Sequence, residues 1–207
     1  MKVAVLGGTG SFGGALAKRL AAAGEQVVIG SRDAGRAQGA AAEIGAGADG
    51  ASNEDAVRGV DLAVLAVKAD GALETASAIA RELGETPLLS VASLIEFRKD
   101  VGMLPDPEAR SLAERIQDVV GAPVAAGLHS IAAASLGDEP PDEDALVCAD
   151  DARAKELALE LAAKVVAGRA LDAGPLASAR ALEGLTAVIV NLNRRYKAHA
   201  GIRVTGV

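Results

Sequence analysis

The chain has 207 residues, half of them apolar, and a formal net charge of −7. That length accommodates one large domain or a nucleotide domain with a small companion, and that charge argues against nucleic acid as a partner. Neither a signal peptide nor an apolar run of membrane-spanning length is read in it, and the single cysteine, Cys148, excludes an intrachain disulfide framework and fits a reducing cytoplasm.

An apolar strand opens the chain and runs into Gly7-Gly8-Thr9-Gly10-Ser11-Phe12-Gly13-Gly14, after which Phe12, Leu16 and Leu20 share a helical face. Gly8, Gly10 and Gly13 satisfy G-x-G-x-x-G between a strand and a helix, the context that gives this motif its meaning. There the glycines permit a tight turn, backbone approach to a pyrophosphate and close helix–strand packing, while the helix N-terminus offers unpaired N–H groups to phosphate. Sequence leaves open whether Phe12 packs in the core or leans on the cofactor.

Gln26 to Gly30 reads as the second strand, Asp33 as the cap of a helix to about Glu43, and Gly45 to Gly50 as a turn. About twenty residues past the Gly-rich turn, an NAD site places an acidic side chain on the adenine ribose. This chain places Gly30-Ser31-Arg32 there, with Arg36 a helical turn on. A hydroxyl and two guanidinium groups suit a 2′-phosphate through charge-assisted hydrogen bonds, so the favoured cofactor is NADP.

Ser52 to Asp55 resembles a capped helix start, Asp61 to Val67 a buried strand, Gly71 to Leu83 a helix and Pro87 to Val91 another strand. Val67, Lys68, Val91 and Ala92 thus stand at carboxyl ends of strands, where ligands bind in this architecture. Ala92 to Pro107 reads as a loop, followed by a helix to about Val120 and strands at Pro123–Gly127, Ala145–Cys148 and Arg169–Asp172. Asp150-Asp151 caps a helix over 152–166, and Pro175 opens a long C-terminal helix. The alternation predicts an α/β, Rossmann-type, doubly wound and mainly parallel sheet with a small C-terminal α/β cap. Residues 1–120 are read as the NADP-binding domain and 121–207 as the cap that completes the substrate cleft.

Leu6-Gly7-Gly8-Thr9-Gly10, Gly30-Ser31-Arg32, Asn53-Glu54-Asp55-Ala56, Leu128-His129-Ser130-Ile131 and Leu171-Asp172-Ala173-Gly174-Pro175-Leu176 occur in that order. Together they resemble the NADPH-dependent reductases of the deazaflavin coenzyme F-420 (F420) over nearly the whole chain. The resemblance implies direct hydride transfer between nicotinamide C4 and deazaflavin C5, with the two rings stacked in one cleft and no acid–base triad required. It implies that Gly8, Thr9, Gly10 and Ser11 hold the pyrophosphate, that Ser31, Arg32 and Arg36 hold the 2′-phosphate, and that His129 and Ile131 lie beside the reacting rings. A homodimer is the implied assembly. The family commonly has proline and an aromatic where this chain has Lys68-Ala69, and proline-rich sequence where it has Ser90 to Leu94. Those departures keep a second reading open, reduction of another small acceptor such as an imine, ketone or flavin. A third reading is a non-catalytic NADP-binding sensor. Asn191, Asn193, Arg194 and Arg195 either meet an anionic tail or form an exposed helix terminus suited to the dipole.

Overall fold

A computed structural model of the chain describes residues 1–45, 47–107, 110–137 and 139–207. The first half alternates strand and helix: β1 (Lys2–Leu6), α1 (Ser11–Ala22), β2 (Gln26–Ser31), α2 (Ala34–Ile44), β3 (Ala48–Ser52), α3 (Asn53–Ala56), β4 (Leu62–Leu65), α4 (Ala69–Leu83) and β5 (Leu88–Ser90). A two-stranded insertion, β6 (Ile95–Arg98) and β7 (Gly102–Pro105), precedes α5 (Leu112–Gln117) and β8 (Val124–Gly127). Then come β9 (Ala145–Ala149), α6 (Ala152–Val165), β10 (Ala170–Asp172) and α7 (Ala179–Tyr196).

Eight strands form one sheet in the order β10-β9-β8-β5-β4-β1-β2-β3. Every neighbouring pair is parallel except β8 with β9, which is antiparallel. Residues 121–207 therefore add three strands to the sheet begun by residues 1–120. Successive side chains of a strand face opposite sides, so Val3 and Val5 enter one core layer and Ala4 and Leu6 the other. β4 divides likewise, Leu62 and Val64 against Ala63 and Leu65. Both faces are covered by helices, as continuous apolar strands require. The chain leaves β1 toward β2 on one side and later returns to β4 on the other, which opens a crevice at the carboxyl ends of these strands.

The caps follow local chemistry. Asp33 accepts from the Arg36 N–H at 3.1 Å at the start of α2, and Asp151 accepts from the Ala154 N–H at 2.8 Å at the start of α6. Ser111 and Glu114 form a reciprocal capping box on α5. From α7, the buried Glu183 carboxylate accepts the Leu112 and Ala113 N–H groups, both at 3.1 Å, so a side chain distant in sequence satisfies the α5 N-terminus. Burial raises the Glu183 pKa against the pull of those N–H groups.

Three expectations need correction. The stretch read as a turn at Gly45 to Gly50 contributes β3, which pairs in parallel with β2 from Val27↔Ala48 to Ser31↔Ser52. Its sequence, Ala-Asp-Gly-Ala-Ser, lacks the apolar run of a buried strand, and a Cβ on Gly50 would fall on the Ala37 backbone of α2. The segment read as a loop at Ala92 to Pro107 contains the β6–β7 hairpin, whose β7 end is held by α7. Asn191 accepts from the Met103 N–H at 2.9 Å and donates to the Met103 carbonyl at 2.7 Å, so one amide side chain occupies the edge of β7 as a strand would. Pro175 leads into a 3₁₀ turn over Leu176–Ser178, and α7 proper starts at Ala179.

The C-terminal tail is tied to its own chain. Asp144, fully buried, accepts from the backbone N–H groups of Arg169 and Val204, both at 2.9 Å, and pairs with the Arg169 guanidinium at 2.7 Å. The Arg169 guanidinium and these N–H groups hold the Asp144 carboxyl well below the usual carboxylate range.

Candidate functional site

The Gly-rich turn is organised by backbone alone. Gly7, one residue before the motif's first glycine, takes the left-handed φ of +81° and donates to the Gly30 carbonyl at 3.0 Å. A Cβ there would meet the Ala66 carbonyl oxygen at 2.8 Å, and a Cβ on Gly13 would fall on the Gly7 carbonyl. Only glycine therefore lets α1 begin so close to β1. Gly10 is the extended N-cap residue of α1 and forms no side-chain cap, and the first turn carries no acidic residue. The orphan N–H groups of the first turn consequently face an uncovered, electropositive end suited to a phosphate.

Ser31 closes β2 and is buried, its hydroxyl accepting from the Asp33 N–H at 3.3 Å. Asp33 is occupied as the α2 cap, the role expected of it. Arg32 and Arg36 flank this turn, both exposed, and neither forms an ion pair among the described residues. Asn53, the first residue of α3, lies against Gly30 and is buried, its side-chain carbonyl oxygen without a hydrogen-bond partner among the described residues. A buried polar atom left in this way costs about 1–3 kcal/mol, so it marks a place where a hydrogen-bonding ligand lowers the energy.

From the same end of the sheet opens a cleft of about 280 Å³. Phe12, Val67, Lys68, Val91, Ala92, His129 and Ile131 all line it, so seven of the sequence-derived residues converge here. Phe12 is half-buried against the core and also lines the cleft. Lys68 is the only charged side chain on the wall among the described residues. Ala69 and Ser93, from the two segments that depart from the family's pattern, and Leu128, beside His129, complete the lining with Ile95 and Thr186. Ile95 arrives on the unanticipated hairpin and Thr186 from α7, elements that no local motif ties to the glycine turn.

His129 is presented by a strained turn. The residue before it, Leu128, is buried at a φ of +63°, a left-handed conformation that costs a non-glycine residue about 1–2 kcal/mol. The turn closes with the Ile131 N–H on the Leu128 carbonyl at 3.1 Å. A relay across the cleft holds it from the other side: Thr186 donates to the His129 carbonyl at 2.8 Å. That uses the Thr186 hydroxyl proton, so Ser93 is the donor in the 2.7 Å contact between the two hydroxyls. Neither His129 ring nitrogen has a hydrogen-bond partner among the described residues. Burial pushes the imidazole down to about 4, and the nearby Ala92 backbone opposes the shift without reaching hydrogen-bond geometry. At neutral pH the cleft therefore offers a neutral, unsatisfied imidazole among aliphatic side chains. Cys148 is buried elsewhere, its thiol pushed up to about 12 by burial, which leaves it a small hydrophobe.

Residues 2–93 match the family model described as NADP oxidoreductase coenzyme F420-dependent. An F420-dependent NADP reductase of Methanothermobacter thermautotrophicus is 38% identical over 222 residues, spanning all of this chain and 96% of the relative. One from Methanothermobacter marburgensis is 36% identical over 222 residues, covering 100% and 99%. Among solved structures, a candidate F420-dependent NADP reductase from Arthrobacter sp. FB24 superposes with a TM-score of 0.85 at 26% identity, each chain covered in full.

Proposed function

The chain belongs to the family of coenzyme F420-dependent NADP oxidoreductases, and on that premise we propose that it transfers a hydride directly between NADP(H) and the deazaflavin coenzyme F420. The observation that carries this reading is the position of Phe12. It lies in the first turn of α1, at the phosphate-binding end, and also on the wall of the cleft. A pyrophosphate held at Gly8, Thr9, Gly10 and Ser11, with Gly13 keeping α1 close, directs the rest of the dinucleotide past Phe12 into the space between Val67, Val91 and His129.

When bound, the two coenzymes supply the hydride donor and the hydride acceptor. The chain contributes proximity, orientation and a dry wall, the terms that dominate when the coenzymes carry the chemistry. Ser31, Arg32 and Arg36 bind the 2′-phosphate. His129, neutral and without a partner among the described residues, donates to or accepts from a ring amide, and Ile131 shapes the gap between the rings. Residues 1–120 hold the nucleotide and residues 121–207 complete the acceptor side through His129, Ile131 and Thr186.

We place the enzyme in the cytoplasm as a homodimer. A free, buried thiol suits that compartment, and no helix among the described residues is long and apolar enough to cross a membrane. Val188, Leu192 and Tyr196 repeat every four residues on the exposed side of α7, a stripe suited to a second copy.

The test is an anaerobic absorbance assay of the protein with coenzyme F420 and NADPH, with NADH as control. Loss of the deazaflavin band that depends on NADPH is the expected result. Tight NADPH binding with an unchanged band would transfer the function to another small acceptor, a reading favoured by Lys68 on the cleft wall.

A further inference from the structure

We propose that a shelf between β6 and α7, leading out of the cleft, binds the anionic side chain of the acceptor coenzyme, with Arg194 as its charge anchor. This rests on the deazaflavin reading above and adds a subsite to it.

Ile95 and Thr186 stand on the cleft wall on two different elements. The period of a strand puts Phe97 on the same face of β6 as Ile95, and helical spacing carries the row from Thr186 through Val190 to Arg194. The two rows run side by side because α7 packs on both hairpin strands. They meet where the Arg194 guanidinium lies 4.9 Å from the centre of the Phe97 ring. Val188, Leu192 and Tyr196 lie on the opposite side of α7, so the shelf and the stripe assigned to the second copy do not compete.

Phe97 is 58% exposed, far more than a core aromatic. Its visible role is to hold a guanidinium in place, a cation–π contact that leaves the N–H edge of Arg194 free. Arg194 forms no ion pair among the described residues. A chain of net charge −7 repels a polyanion at long range, so an anionic ligand needs local cations where it docks. From Thr186 to Arg194 is eight residues, about 12 Å along a helix. A ribityl chain with its phosphodiester and the reach of the arginine side chain together cover that span, which brings the first anionic group of the coenzyme's side chain to Arg194 while the ring remains in the cleft.

The test compares two ligands on the full-length protein: the complete coenzyme, and the deazaflavin core that keeps the ribityl chain and lacks the phosphodiester and glutamates. Fluorescence titration gives Kd, and steady-state assays give KM and kcat. Arg194→Ala is expected to weaken the complete coenzyme about two- to fivefold, in the range of exposed charge contacts, with the core's Kd and kcat unchanged. Arg194→Lys should recover most of the loss, and added salt should narrow the gap between wild type and Arg194→Ala. An equal loss for both ligands, or none for the complete coenzyme, overturns the shelf. Wild-type protein that binds neither ligand overturns the deazaflavin reading itself and the shelf with it.

Discussion

At the glycine turn, the chain presents backbone N–H groups and two exposed guanidinium groups from one continuous stretch, residues 7–36. The cleft takes its wall from five separate stretches between Phe12 and Thr186, and it contains a buried imidazole whose ring nitrogens have no partner among the described residues. On the proposed reading the first region recognises charge at an exposed surface and depends on glycine geometry. The second recognises shape in a largely aliphatic cleft and depends on the packing of distant elements. Substitutions at the two ends should therefore fail differently: nucleotide binding and cofactor preference at one, ring placement and response to acid at the other.

The largest break is expected from Gly13→Ala. Its methyl group would land on the rigid Gly7 carbonyl, and overpacking of that kind costs about 3 kcal/mol. Thermal denaturation should show the loss, and an NADPH titration should show binding abolished. If the variant binds NADPH like wild type, the glycine turn is not where the pyrophosphate lies.

Arg32→Ala should leave the fold intact and weaken NADPH by about 1.5–3 kcal/mol, the worth of a hydrogen bond to a charged group. NADH binding should be nearly unchanged. Equal losses for the two cofactors in parallel titrations would refute the 2′-phosphate assignment.

His129 sharpens the comparison through pH. Its ordinary value is 6.5 and its buried value about 4, so on acidification the unfolded chain takes up this proton first. Stability is therefore lost as pH falls from 6.5 toward 4, by about 2 kcal/mol at pH 5 from this group alone. His129→Gln should flatten that part of the stability profile measured by denaturant unfolding. A parallel profile in the variant would mean that the imidazole is not held neutral. Smallest is Thr186→Val, which removes the hydroxyl that bridges Ser93 and the His129 carbonyl. It should cost about 1 kcal/mol and raise KM for the acceptor while leaving NADPH affinity alone.

The same contrast decides what sequence alone revealed. The glycine turn, Ser31-Arg32, the Asp33 and Asp151 caps and the parallel sheet are local or periodic features, and each could be read from neighbouring residues. β3 was hidden because its Ala-Asp-Gly-Ala-Ser strand is stabilised by a close approach to α2 that no pattern announces. The hairpin was hidden because it is held by α7, through the Asn191 amide 88 residues away from Met103 and the Arg194–Phe97 contact, and not by anything in its own sequence. Ser93, Ile95 and Thr186 belong to the site only through that tertiary arrangement. Val67, Val91 and Ala92 were legible because strand ends mark the crevice in any doubly wound sheet. The resemblance to a known family added His129 and Ile131, which composition and spacing did not distinguish.

The grip of Asn191 on both polar groups of Met103 has a consequence for engineering. Hairpin and helix behave as one cassette, since the amide that fastens them lies on one part and its receptor on the other. A hairpin transplanted alone would lose that fastening. The exchangeable piece runs from residue 94 to 105 together with residues 179 to 196, and recombination that also keeps Glu183 on α5 and Thr186 on the His129 carbonyl can reshape the acceptor side while the nucleotide half keeps its cofactor.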